Sequence, residues 1–239
     1  METVDILAFA AHPDDVELSA AGTLLKHKAA GYSIGIVDLT QGELGSRGTI
    51  QTRYDEAAAA ADILGLSVRV NLKMPDGFFA HNEDNLRLII EQIRRFRPKI
   101  VLANAYSDRH PDHAKGSKLV SEACFLAGLQ KVKTFWEGHS QEHYRPKVVY
   151  HYIQDHYIQP DFVVDVTDYV EKKFDAVKAY KTQFWDPNSK EPVTPISGEE
   201  FFDFLRGRMA EMGRSIGARY AEGFCVERTP GVDDLFSLL

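Results

Sequence analysis

Over its first 130 residues the chain alternates four times between a short apolar run and a helical stretch. The runs are 4–11 (VDILAFAA), 33–40 (SIGIVDLT), 67–72 and 99–104 (KIVLAN). The first two carry almost no polar alternation, as expected of strands in a parallel sheet covered on both faces. Between and after them, residues 18–30, 53–64, 85–96 and 113–129 read as helices, with stop signals at Gly31, Gly65 and Pro98. Parallel strands joined by helices need crossovers of one hand, and the helices then lie on the sheet. The predicted fold class is α/β: a doubly wound, mostly parallel sheet of Rossmann-like topology in three layers.

The second half is less regular. Residues 147–153 and 161–166 read as strands, and 168–180 as a helix. Residues 184–198 carry three prolines and read as a long loop, and 199–220 as a final helix interrupted by glycines. No repeat, low-complexity tract or clean boundary divides the chain. We expect one domain over 1–239, with 1–130 the regular core and 131–239 completing the sheet and pocket.

A net charge of −7 argues against non-specific binding to nucleic acid or to an anionic membrane, since both need a basic surface. No apolar run is long enough to span a bilayer, and the N-terminus lacks the basic-then-apolar pattern of a signal peptide. The expected location is the cytoplasm. Cys124 and Cys225 form no CxxC pair, and Cys124 falls in an apolar helical pattern.

Chemistry concentrates where the first and fourth strands end. The stretch 10–17 (AAHPDDVE) follows the first, and 106–113 (YSDRHPDH) the fourth. In a doubly wound sheet, ligands bind beyond the carboxyl ends of the strands where the strand order reverses, and the common orders place these two strands side by side there. Adjacent carboxylates at the end of a buried strand are costly to desolvate unless something pairs with them. The first loop offers His12 and Asp15, and the second His110 and His113, each pair three residues apart. Two imidazoles and a carboxylate on one side of a divalent ion leave positions open for water and substrate, the layout of a catalytic metal site. Zinc is the first choice; iron(II) accepts the same donors. A dinucleotide site is excluded, because G-x-G-x-x-G is replaced by Ala10, Ala11, His12, Pro13, Asp14 and Asp15.

These motifs resemble those of the LmbE-like, or PIG-L, family of zinc-dependent N-acetylglucosamine deacetylases. HPDD with a following acidic residue and a glycine in the next helix matches 12–17 and Gly22; HPDH matches 110–113. Arg53 and Glu56 match an Arg and an acidic residue in the helix after the second strand, and YAEGF at 220–224 matches a C-terminal pattern. Ala21 and Thr182 depart from residues that are often Gly and Ser in the family. Within it the chain looks most like the bacillithiol-biosynthesis deacetylases, whose substrate is N-acetyl-glucosaminyl malate.

The resemblance implies an amidohydrolase with one Zn2+ per chain held by His12, Asp15 and His113. It implies Asp14 as general base and His110 as a cation that stabilises the oxyanion or protonates the leaving amine. Arg53 would hold substrate, and a homo-oligomer is expected. Arg47 and Arg109 stand on loops beside the expected site, where either guanidinium would suit a malate carboxylate. Three other activities fit the same residues: a deacetylase of another N-acetylated sugar such as a chitooligosaccharide, a metal-dependent esterase or phosphoesterase, and a non-catalytic sugar- or nucleotide-binding module.

Overall fold

A computed structural model describes residues 3–238. The first half runs β1 (Ile6–Ala10), α1 (Asp15–Ala29), β2 (Ile34–Thr40), α2 (Ile50–Leu64), β3 (Val68–Met74), α3 (Glu83–Phe96), β4 (Ile100–Ala103) and α4 (Pro111–Ala127). A two-residue-stranded hairpin follows, β5 (Phe135–Trp136) with β6 (His139–Ser140). The rest is β7 (Val148–Tyr152), β8 (Phe162–Asp165), α5 (Val170–Lys178), α6 (Glu200–Arg214) and β9 (Ala221–Val226).

Seven strands form one sheet in the order β3-β2-β1-β4-β7-β9-β8. All neighbours are parallel except β9, which pairs antiparallel with β7 and with β8. The fold class is the expected α/β one. Because side chains alternate along a strand, each central strand feeds two cores. Leu7, Phe9, Val101 and Ala103 pack against Ile89 and Ile93 of α3 and Leu119 and Val120 of α4. Ile6, Ala8, Ala10 and Leu102 pack on the opposite face against Ala20, Ala21 and Leu24 of α1.

Local signals set most boundaries. α2 begins with a capping box in which Thr49 and Thr52 bond reciprocally, and ends at Gly65 in the left-handed region (φ 66°). Pro111 opens α4, where its missing N–H costs nothing. α1 starts at Asp15, three residues before the expected position, so part of the first motif lies within its first turn. The expected helix over 199–220 stops at Arg214, and β9 takes up residues from the YAEGF string.

The order places β1 beside β4, with Ile6 opposite Ile100 and Ala8 opposite Leu102. β2 leaves β1 to one side and β4 lies on the other. The loops after β1 and β4 therefore emerge at the point where the order reverses.

Candidate metal centre

The two loops meet as that topology requires. The ring centroids of His12 and His110 are 4.6 Å apart, those of His110 and His113 5.2 Å, and those of His12 and His113 5.5 Å. Asp15 lies between two of them: its Oδ2 is 3.7 Å from His12 Nδ1 and its Oδ1 is 3.1 Å from His113 Nε2.

The outer nitrogens fix the tautomers. His12 Nε2 donates to Asp76 Oδ1 at 3.1 Å, and Asp112 Oδ2 lies 3.5 Å away. His113 Nδ1 donates to Asp108 Oδ2. A carboxylate only accepts, so in the neutral rings these nitrogens carry the protons and the inner nitrogens carry lone pairs. Two lone pairs and an anionic Asp15 then face one another, an arrangement that needs either extra protons or a cation. Without a cation, protons serve. Burial opposes charge on His113, but Asp15 and Asp108 outweigh it and hold the ring up to about 9. Burial likewise opposes charge on His12, and Asp112, Asp15 and Asp76 hold it well above the ordinary histidine value. Asp15 is held well below the usual carboxylate range by His113 and His12, against the effect of its own burial.

Two sets of donor atoms lie mutually within 4.8 Å: one from His12, His110 and His113, and one from His12, Asp76 and Asp112. The outer carboxylates already have other tasks. Asp112 accepts from Lys115 Nζ and from the Gly77 amide, and Asp76 accepts from the Leu44 amide. The inner face, with neutral imidazole nitrogens, a carboxylate and a neighbouring cavity, fits a divalent transition metal with open positions.

Asp15 is itself clamped. Asn104, at the end of β4, donates from Nδ2 to Asp15 Oδ2 at 2.9 Å, and Gln154, just after β7, donates from Nε2 to Asp15 Oδ1 at 3.1 Å. Gln154 Oε1 accepts from Asn104 Nδ2 and from the Ala105 amide, which fixes which end of its amide faces Asp15. The sequence reading missed Asn104, Gln154, Asp108 and Asp76. A polar residue ending an apolar strand was the available signal for Asn104.

Asp14 is the residue before α1, with φ 116°, and its side chain makes no capping hydrogen bond. A non-glycine residue in that region is strained, and such strain gathers at functional sites. The carboxylate meets Arg53 at 2.8 Å, and burial, opposed by Arg53, pushes its pKa up to about 7. Arg53 also donates to the Pro13 carbonyl at 2.7 Å, so it holds Asp14 and its turn while lining the pocket. In the metal-free protein His110 is pushed below the ordinary histidine value by burial and by the neighbouring His12 and His113. Its Nδ1 accepts from the Asp112 amide at 3.3 Å, leaving the proton of the neutral ring on Nε2.

A cavity of about 300 Å³ opens beside these groups, lined by His12, Asp14, Asp15, His110 and His113 and, farther off, by residues of α6. Arg109 is in its wall, bonded to Asp155 at 3.1 Å. Arg47 is not among the lining residues; it is buried and donates to Ser189 Oγ of the 184–198 loop at 2.8 Å. Glu17 turns away from the cavity to Arg69 and Tyr180, at 2.6 and 3.0 Å. Asp112 faces His12 Nε2 at 3.5 Å rather than its sequence neighbour His113.

The sheet and the paired HPD loops define a class of α/β proteins with a metal cradle at the switch point. The pattern of the PIG-L family, described as GlcNAc-PI de-N-acetylase, matches residues 7–124. The conserved protein TT1542 from Thermus thermophilus is similar in structure, with a TM-score of 0.86 and 36% identity over 97% of this chain and 98% of that one. The chain belongs to the PIG-L family of de-N-acetylases. The diacetylchitobiose deacetylase of Thermococcus kodakarensis is 26% identical over 95% of this chain and 84% of its own length. A probable N-acetyl-alpha-D-glucosaminyl L-malate deacetylase 2 of Bacillus anthracis is 25% identical, over 72% and 78%. The 4-oxalmesaconate hydratase of Pseudomonas putida is 27% identical, over 74% and 73%, so reactions differ among the relatives.

Proposed function

We propose that the protein is a zinc-dependent amidohydrolase that removes acetate from an N-acetylglucosamine conjugate, with N-acetyl-glucosaminyl malate the leading substrate. One observation carries the reading: His12 and His113 turn their inner nitrogens onto the two oxygens of Asp15, while carboxylates hold their outer nitrogens. His12, Asp15 and His113 would hold the ion. The family match and the two deacetylase relatives support the reaction class.

Bound there, a divalent ion supplies Lewis acidity, lowering the pKa of a water and polarising an acyl carbonyl. Asp14 accepts the attacking water's proton. In the metal-free protein burial raises its pKa, which favours proton uptake; a neighbouring divalent ion would draw that value down, so Asp14 would be ionised and able to take a proton at neutral pH. Arg53 keeps the Asp14 carboxylate oriented. His110 presents its Nε2 proton to the oxygen that gains negative charge, as an oxyanion donor does. The proton taken by Asp14 is available to the departing amine.

The deciding assay is acetate release from N-acetyl-glucosaminyl malate and from N,N'-diacetylchitobiose by zinc-loaded and chelator-stripped protein. Release that depends on the metal supports the proposal. No release from any N-acetylglucosaminide by metal-loaded protein overturns it.

A further inference from the structure

The charged side chains in the cavity wall form pairs, with one exception. Asp14 meets Arg53 at 2.8 Å, His12 meets Asp76 at 3.1 Å, and Asp15 meets His113 at 3.1 Å. Beyond the imidazoles, Arg109 meets Asp155 at 3.1 Å and Lys173 meets Glu222 at 2.7 Å. Arg208, on α6, lines the same cavity and makes no ion pair among the described residues.

Arg208 is half-buried beside Leu205 and Met209 of its own helix, both of which also line the cavity. Its Nη2 donates to the His156 carbonyl at 2.9 Å, and the guanidinium carbon lies 5.6 Å from the centre of the Phe204 ring. One contact to a neutral carbonyl does not offset the loss of water around a full charge. Burial lowers the Arg208 pKa, while Asp155, Asp108 and Glu211 act from farther off to raise it. A guanidinium has five N–H donors in a planar fork, and only one has a protein acceptor among the described residues. An unused fork suits a carboxylate or phosphate in two-point contact.

Arg109 and Lys173 are met by Asp155 and Glu222, so Arg208 is the lining Lys or Arg with no carboxylate partner among the described residues. A half-buried cation without a carboxylate partner attracts an anionic ligand more strongly than a fully solvated one does. Arg208 therefore offers its charge to a ligand in the same cavity that the two HPD loops line.

We propose that Arg208, with Arg109 beside it, is a specificity-determining residue that selects N-acetylglucosaminides whose aglycone carries an anionic group. This rests on the deacetylase reading and adds to it the residue that separates acidic conjugates from neutral sugars. Arg53 also lines the cavity, but its charge is already met by the Asp14 carboxylate at 2.8 Å.

The experiment compares wild type with Arg208→Gln and Arg208→Lys on N-acetyl-glucosaminyl malate (carboxylate), N-acetylglucosamine 1-phosphate (phosphate) and neutral N,N'-diacetylchitobiose. The ratio of kcat/KM for an anionic substrate to that for diacetylchitobiose should fall by about tenfold or more in Arg208→Gln, mainly through KM, with a smaller fall in Arg208→Lys. The anionic substrate that shows the larger fall identifies the group that is read. An unchanged ratio in both variants overturns the inference, as does a wild-type preference for diacetylchitobiose. Dissociation constants for glucosaminyl malate and methyl glucosaminide, measured calorimetrically with the zinc-loaded protein, separate the two readings. If no acetate is released but the malate conjugate binds more tightly and loses that advantage in Arg208→Gln, the deacetylase reading falls and the anion site stands. If acetate is released and the variants affect both ligands alike, the reverse holds.

Discussion

Binding of a divalent ion at the inner nitrogens must expel protons, and the structure sets how many. In the metal-free protein, burial works against charge on His113, yet Asp15 and Asp108 hold it up to about 9. At pH 7 the ring is then protonated by roughly a hundred to one, and the metal needs it neutral, so apparent affinity should lie about a hundredfold below its limit. His12 is also held above its ordinary value, which adds to the effect. Affinity should therefore rise by one to two powers of ten per pH unit above 7, and the part due to His113 should flatten beyond about 9. The folded-state pKa of His113 is raised, so the stability its charge gives the metal-free protein is complete below about 6.5 and is lost as pH rises through about 9. Competition with a chromophoric chelator at pH 7, 8 and 9, corrected for the chelator's own protonation, measures the slope. Calorimetry in buffers of different ionisation enthalpy counts the protons. Asp108→Asn should move the curve to lower pH, because one of the groups holding the proton is gone, and weaken the high-pH limit by about 10–100-fold. A wild-type affinity that changes less than about threefold between pH 7 and 8.5 would show that the imidazoles carry no such protons.

Asp14→Ala should retain the metal and lose about a hundredfold or more in kcat, while His12→Ala should lose both; metal content by mass spectrometry with turnover separates them. If Asp14→Ala turns over near the wild-type rate, the base lies elsewhere. Gln154→Leu and Asn104→Leu each remove a donor from Asp15 and should weaken metal binding by about 10–100-fold; unaltered chelator competition would mean that Asp15 is held by other contacts. Glu222→Leu strands the buried Lys173 and leaves the Gly22 and Thr23 amides without their acceptor, so it should cost about 3–5 kcal/mol in urea unfolding. A loss under about 1 kcal/mol would mean that water reaches the pair.

The first four strands and their helices were legible because each is a local pattern: apolar runs of strand length, helical spacing and a stop residue. The centre was legible for a related reason. A packed core does not accumulate His and Asp at the ends of two strands, and the topology brings those ends together. β9 was not legible. AEGFCV is short, contains a glycine and follows a helical stretch, and its antiparallel place between β7 and β8 depends on contacts with distant residues. Gly22 acquires its meaning only through that strand and the residue after β8, since a Cβ there would stand 2.8 Å from Val166 Cβ and 3.0 Å from Glu222 Oε1. The supporting shell was illegible in the same way. Asp76 sits in a Pro-Asp-Gly turn that reads as a turn and nothing more, and Gln154 is one amide at a strand end. Arg47 and Arg53 show the limit of proximity in sequence. Arg47 lies in the loop between β2 and α2 and Arg53 in the first turn of α2, yet one donates to Ser189 of the 184–198 loop and the other to Asp14.

All of this depends on one shared centre. Anomalous diffraction at the zinc edge from zinc-loaded crystals locates it directly. The expected result is a single peak per chain about 2.0–2.2 Å from His12 Nδ1, an Asp15 oxygen and His113 Nε2, with His110 and Asp14 close by and not bonded to it. A peak on the outer face, among His12 Nε2, Asp76 and Asp112, or no peak at all, would contradict the account.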